Sequence, residues 1–105
     1  MFDIESIQSM FDSNAVKFTQ HFKVRIKERG IKLTDVKHVL LSGEIIEQHL
    51  DDQPLPSILI FGHTMDNIPL HVAVSVDDDL IFLVTTYFPS DDIWEIDYKT
   101  RKVVD

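Results

Sequence analysis

Apolar residues change their spacing at Gly43, and that change dictates the class of fold. Before it, apolar side chains recur every three or four residues. Ile4, Ile7, Met10 and Phe11 share one helical face, so a short helix spans Asp3 to Phe11. Asp12-Ser13-Asn14 reads as a break, and any of the three can cap the next helix. That second helical segment runs to Arg29 and stops at Gly30, a residue suited to a left-handed C-terminal cap. Thr34 precedes an acidic first turn at Asp35, an apolar face through Leu41, and Gly43. That sequence predicts a third helix capped by Thr34.

Beyond Gly43 the period is two. Glu44 to His49 reads as a strand with a polar edge, and Ser57 to Phe61 as a central strand. Leu70 to Val76 alternates, with valines on one face and His71, Ala73 and Ser75 on the other. Asp77-Asp78-Asp79 turns the chain into a strand from Leu80 to Phe88, which Pro89 ends. The tail from Ser90 to Asp105 carries the only Trp and reads as irregular or as a last hairpin. Helices followed by strands are the pattern of an α+β fold, with N-terminal helices packed on a small antiparallel β-sheet. At 105 residues the chain is expected to form a single domain, 1–105.

With no cysteine, a disulfide framework, a thiolate zinc site and a cysteine nucleophile are excluded. The five histidines show no H-x-x-x-H or H-E-x-x-H pattern, and there is no Gly-rich phosphate loop, so neither a metal nor another cofactor is expected. No apolar run approaches the roughly 20 residues of a membrane helix. The start, Met1-Phe2-Asp3-Ile4-Glu5, lacks the basic region of a secretory signal. A cytoplasmic chain with no membrane partner is the expectation.

The net charge of −8 is unevenly spread. Residues 17–37 hold seven basic side chains against Glu28 and Asp35, a local charge of +5, and the remainder carries −13. A uniformly acidic protein repels polyanions, but one basic segment can still meet phosphate locally. Within that segment Phe18, Phe22 and Ile26 form an apolar stripe. Arg29 falls inside its angular range, and His21 and Arg25 lie beside it, whereas Lys23 and Lys27 lie opposite. His21, Arg25 and Arg29 therefore sit at the margin of helix and sheet. There they either pair with carboxylates such as Glu44 or Glu47, or line a groove that receives an anion.

His71 is the second candidate, on a strand face whose other residues are small. It is either a hydrogen-bonded structural histidine or a proton-transfer group. Tyr87 is the third. Three residues looped out between Val76 and Leu80 would put Tyr87 on the face of His71, and two or four would put it opposite. The shared face is the working expectation.

The ordered series Thr19-Gln20-His21, Arg25, Glu28-Arg29-Gly30-Ile31, Asp35-Val36 and Gly43-Glu44-Ile45-Ile46-Glu47 resembles a bacterial and archaeal family, domain of unknown function 4258. It continues through Pro56-Ser57, Pro69-Leu70-His71-Val72, Thr86-Tyr87-Phe88-Pro89, Trp94 and Arg101. The resemblance covers residues 18–102 as a family-like core and leaves 1–17 as an extra N-terminal helix. It implies a fold similar to RelE-like toxins and metal-independent ribonucleases. It also implies kinship with toxin–antitoxin systems, hence RNA and a small antitoxin protein as partners. The family-typical polar positions are His21, Arg25, Arg29, His71 and Tyr87. On that basis His21, Arg25, His71 and Tyr87 are the expected catalytic residues, with Arg25 and Arg29 as a phosphate clamp. The competing expectation is a non-catalytic, acidic protein-interaction module. RelE-like ribonucleases are strongly basic, whereas this chain has three arginines.

Overall fold

The structure is a computed structural model and describes residues 2–78 and 80–103. It contains helices α1 (Ile4–Asp12), α2 (Gln20–Arg29) and α3 (Leu33–Ser42). Five strands accompany them: β1 (Val16–Phe18), β2 (Glu44–His49), β3 (Ser57–His63), β4 (Pro69–Asp77) and β5 (Leu80–Tyr87). The sheet order is β1-β5-β4-β3-β2. Strands β2 to β5 pair antiparallel, as the short turns between the strands from 57 to 88 predict, but β1 runs parallel to β5. The fold is α+β with a mixed sheet, which corrects the expected purely antiparallel one.

The break at Asp12-Ser13-Asn14 closes α1 and does not cap α2. Ser13 donates its backbone N–H to the Ser9 carbonyl at 3.0 Å, and Asn14 turns the chain with φ 63°. β1 then begins at Val16, so residues 1–17 hold more than a helix. A three-residue strand is too short to show a period, and its partner lies far along the chain. Thr19 is the true cap. Its hydroxyl accepts the Phe22 N–H at 3.1 Å and donates to the Leu83 carbonyl at 2.9 Å, so one side chain starts α2 and ties it to β5. Thr34 is not a cap either. Lys32 flanks α3 without a side-chain hydrogen bond, and Thr34 lies inside the helix. Gly43 follows α3 in an extended conformation, and only glycine fits there: a Cβ would lie 2.5 Å from the carbonyl oxygens of Val39 and Phe61.

The helices cover one face of the sheet. Val72, Val74 and Val76 of β4, with Ile58, Ile60 and Leu83 beside them, meet Ile7, Phe22, Val36, Val39 and Leu40. Each fully buried aliphatic side chain of this kind contributes roughly 1.5–3 kcal/mol.

Two β-bulges decide what the opposite, outer face carries. Asp77 pairs with Leu80, so the turn holds two residues, and that register alone would put Tyr87 opposite His71. A bulge at Val84 restores the face: Val74 pairs with Leu83, Ala73 with Thr85, and His71 with Tyr87. The shared face holds, then, through a bulge and not a three-residue turn. A second bulge at Ile46 places Ile45 against Ile60 on the core side and Glu47 against Leu59 on the outer side.

The C-terminal tail takes the hairpin form. Trp94 bridges Arg101, and the Lys102 N–H donates to the Ile93 carbonyl at 2.8 Å. This strap lies on the outer face.

Candidate functional site

One row of the outer face, Glu44, Phe61, His71 and Tyr87, runs across β2 to β5. The strap covers it. His71 is 0% exposed and stands edge-on to Trp94, with ring centroids 4.5 Å apart, and to Phe61 at 5.5 Å. Both of its nitrogens are engaged. Nε2 lies 2.7 Å from the Tyr98 carbonyl oxygen and Nδ1 lies 3.3 Å from the Tyr87 hydroxyl.

A carbonyl can only accept, so Nε2 carries the proton. Burial pushes the His71 imidazole below its usual pKa, with the Tyr98 carbonyl and Glu47 opposing, which favours the neutral ring. Nδ1 is then a lone-pair acceptor, and the Tyr87 O–H donates to it. Burial pushes Tyr87 above its usual value, with Arg101 and Arg29 among the opposing charges, so its hydroxyl stays protonated. A single chain therefore runs from the Tyr87 hydroxyl through His71 to the Tyr98 carbonyl. Tyr98 holds a left-handed φ of 59°, a strained conformation for a residue with a Cβ.

Arg101 crosses the face beside this chain. Its Nε donates to Glu47 Oε2 at 2.7 Å and its Nη2 to Oε1 at 3.0 Å, and its guanidinium lies 4.7 Å from the Trp94 ring centroid. The Arg101 hydrogen bonds hold the Glu47 carboxyl below its usual range, against the effect of burial. A shallow groove of about 190 Å³ opens here, lined by Tyr87, Thr85, Ala73, Leu59, Glu47 and Arg101.

Arg29 reaches the same place from the other side of the sheet. β1 covers β5 only from Ile81 to Leu83. Past that point Arg29 Nη1 donates to the Thr86 carbonyl at 2.7 Å and to Thr85 Oγ1 at 3.3 Å.

The structure thus brings Arg29, His71 and Tyr87 together. It does not bring His21 or Arg25 to them. Both sit on α2, over the core face. His21 is exposed and its ring makes no hydrogen bond among the described residues, while Arg25 Nη1 contacts both Glu28 oxygens at 3.1 Å. Pairing of this flank with Glu44 or Glu47 does not occur. Glu44 binds Lys99 at 3.0 Å, and Glu47 binds Arg101 and His49.

A larger cavity of about 600 Å³ lies at the Gly43 end of the strap, beside His38, His63 and Ile96. Its charges are already satisfied: Lys99 pairs with Glu44, and Asp97 accepts from the Lys99 and Thr100 backbone. Among the described residues no three His, Cys, Asp or Glu side chains are placed to hold a metal ion. No described helix is long and apolar enough to cross a membrane.

Sequence reasoning missed Glu47, Trp94 and Arg101 as site residues. Two signals pointed to them. Adjacent isoleucines between Glu44 and Glu47 break the period of two, which marks a bulge. A lone Trp in a polar tail needs a surface to bury against.

No curated protein and no solved structure matches the chain. A family match runs from Phe18 to Phe88, taking in His21, Arg25, Arg29, Glu47, His71 and Tyr87 and stopping short of the strap. Spanning more than half of the sequence, that match over residues 18–88 shows that the chain belongs to the family described as domain of unknown function (DUF4258).

Proposed function

We propose that the Tyr87 groove is an acid–base centre for metal-independent cleavage of RNA, as in a RelE-like toxin with a small antitoxin partner. The observation that carries this reading is the hydrogen-bonded chain from Tyr87 through His71, flanked by two guanidinium groups. Tyr87 accepts the proton of a 2′-hydroxyl while passing its own to His71 Nδ1. The 2′-oxygen bonds to phosphorus and the bond from phosphorus to the 5′-oxygen breaks. The 5′-oxygen takes a proton from water, and His71 returns its proton through Tyr87 to the resulting hydroxide. The products are a 2′,3′-cyclic phosphate and a 5′-hydroxyl. Arg29 and Arg101 stabilise the charge gathering on the non-bridging oxygens, a contribution of order 3 kcal/mol per donor. His71 is enclosed and acts only through Tyr87.

The test uses single-stranded RNA in excess chelator. Wild type yields cyclic phosphate ends, and Tyr87→Phe loses about 100-fold or more in rate with an unchanged circular dichroism spectrum. No cleavage by wild type overturns the reading.

The second reading is a non-catalytic module. It is favoured by the pairing of Arg25 with Glu28 and of Arg101 with Glu47, which leaves both guanidinium groups already neutralised. Capture of a basic protein by a wild type that cuts no RNA supports it.

A further inference from the structure

The basic segment 17–37 remains outside that mechanism, and the fold gives it one direction. Four residues along a helix advance about 6 Å and 40°. His21, Arg25 and Arg29 therefore descend the side of α2 in even steps, from solvent toward the sheet. The line ends where Arg29 bonds Thr85 and Thr86, the strand residues just before Tyr87. We propose that this flank of α2 is a phosphate track for single-stranded RNA, leading the strand over the open edge of β5 to the Tyr87 groove. It deepens the cleavage reading and rests on it for the direction of the strand.

Three observations support the track. Its cations are available. The His21 ring is exposed and unbonded among the described residues, and the one ion pair of Arg25 is an exposed i, i+3 contact with Glu28, a kind worth little in water. A phosphate displaces such a pair readily. The segment that carries it is positive. Lys17, Lys23, Lys27, Lys32 and Lys37 are all exposed and none forms an ion pair among the described residues, and Lys23 and Lys27, on the opposite side of α2, add to the field without touching the track. Its contrast with the rest of the molecule is strong, since everything outside residues 17–37 carries −13. A long anionic strand is held along the positive flank and repelled elsewhere. Regular spacing along one helix side fits repeating phosphates better than a single anion.

The experiment measures binding of a fluorescein-labelled, single-stranded 2′-O-methyl RNA, which has no free 2′-hydroxyl and is not cut. Fluorescence anisotropy is followed from low to moderate salt. Arg25→Gln weakens binding about tenfold and lowers the slope of log Kd against log salt by close to one contact. Lys102→Gln removes the same charge on the strap side and stays within about twofold of wild type. His21→Gln with Arg25→Gln weakens binding further, and both variants keep the wild-type melting temperature. Equal losses at Arg25 and Lys102 overturn the track, because bulk charge then explains binding. Stronger binding of poly-glutamate than of RNA overturns it too and points to an acidic protein partner. The two proposals fail separately. Salt-dependent binding through Arg25 without cleavage by wild type keeps the track and removes the nuclease. Cleavage with unaltered binding in the Arg25 variants does the reverse.

Discussion

The flank of α2 and the cluster around His71 both place cations beside aromatic side chains, but they are held in different ways. On the flank, His21 stands in solvent, and the Arg25 guanidinium pairs only with Glu28 among the described residues. Around His71, Phe61, Trp94 and Tyr87 enclose the imidazole, and Arg101 is fixed by Glu47 and by the Trp94 ring. The difference teaches what each can do. Long exposed side chains lose entropy when they meet a ligand but lose little else, so they suit a surface that binds loosely along a strand. Side chains already locked by packing suit a centre that must hold a proton at one atom. Substitutions in the two regions should therefore have very different effects on stability.

Trp94→Ala is the strongest test. Trp94 is 2% exposed and is the face against which both His71 and Arg101 rest. The expected loss is about 3–5 kcal/mol, read from urea unfolding. A loss below about 1 kcal/mol would mean that the strap is not packed on the sheet, and the contrast would disappear.

His71→Phe comes next and carries a pH signature. It leaves the Tyr98 carbonyl without its donor, at a cost of about 1–3 kcal/mol. In wild type the folded pKa lies below the unfolded value of 6.5, mainly through burial. Between the two values the unfolded chain binds more protons, so stability rises with pH. The contribution is complete above about pH 7 and is lost as pH falls through 6.5 toward the folded value. The variant lacks that slope. The same slope in both proteins would show that His71 is not held neutral.

Much of this contrast is legible in the sequence. The alternation of Val72, Val74 and Val76 fixes which face of β4 is core, and so which face His71 occupies. The spacing of His21, Arg25 and Arg29 fixes their place at the margin of α2. The hidden part depends on contacts between distant residues. β1 exists only because β5 offers it a parallel partner, and a three-residue run carries no period. Tyr87 shares a face with His71 only because Val84 bulges, and nothing in Leu83-Val84-Thr85 announces an extra residue. Ile45-Ile46 does announce one, since two adjacent isoleucines cannot both face the core of a regular strand. Trp94 and Arg101 gain their meaning from the outer face, and that face is built from the four strands β2 to β5. Periodicity reads the side of an element well, but the neighbours of that side come only with the register.

Glu47→Gln has a smaller effect, because Arg101 is more than half exposed and its pair with Glu47 is partly screened. A loss of about 1 kcal/mol or less is expected at pH 7. The folded carboxyl lies below its usual value of 4.5, chiefly through Arg101. Its contribution is thus present above pH 4.5 and fades as pH falls through the folded pKa. Urea midpoints for wild type and variant should converge toward acid. A gap that widened instead would show that the Glu47 charge is a burden to the fold.

The smallest effect belongs to the flank, and it bears most directly on the comparison. Arg25 and Glu28 lie one turn apart on α2, with side chains 34% and 54% exposed. Arg25→Gln should change stability by less than about 0.5 kcal/mol, and its coupling to Glu28→Gln in a double-mutant cycle should be about 0.3 kcal/mol. A coupling above about 1 kcal/mol would mean that Arg25 is fixed by its neighbour at least as firmly as Arg101 is by Glu47. The flank would then be a structural surface, and a phosphate would have to break a firm pair to bind there. A coupling near zero leaves the guanidinium free to leave Glu28 for a ligand, which the packed cluster around His71 cannot do without giving up its own fold.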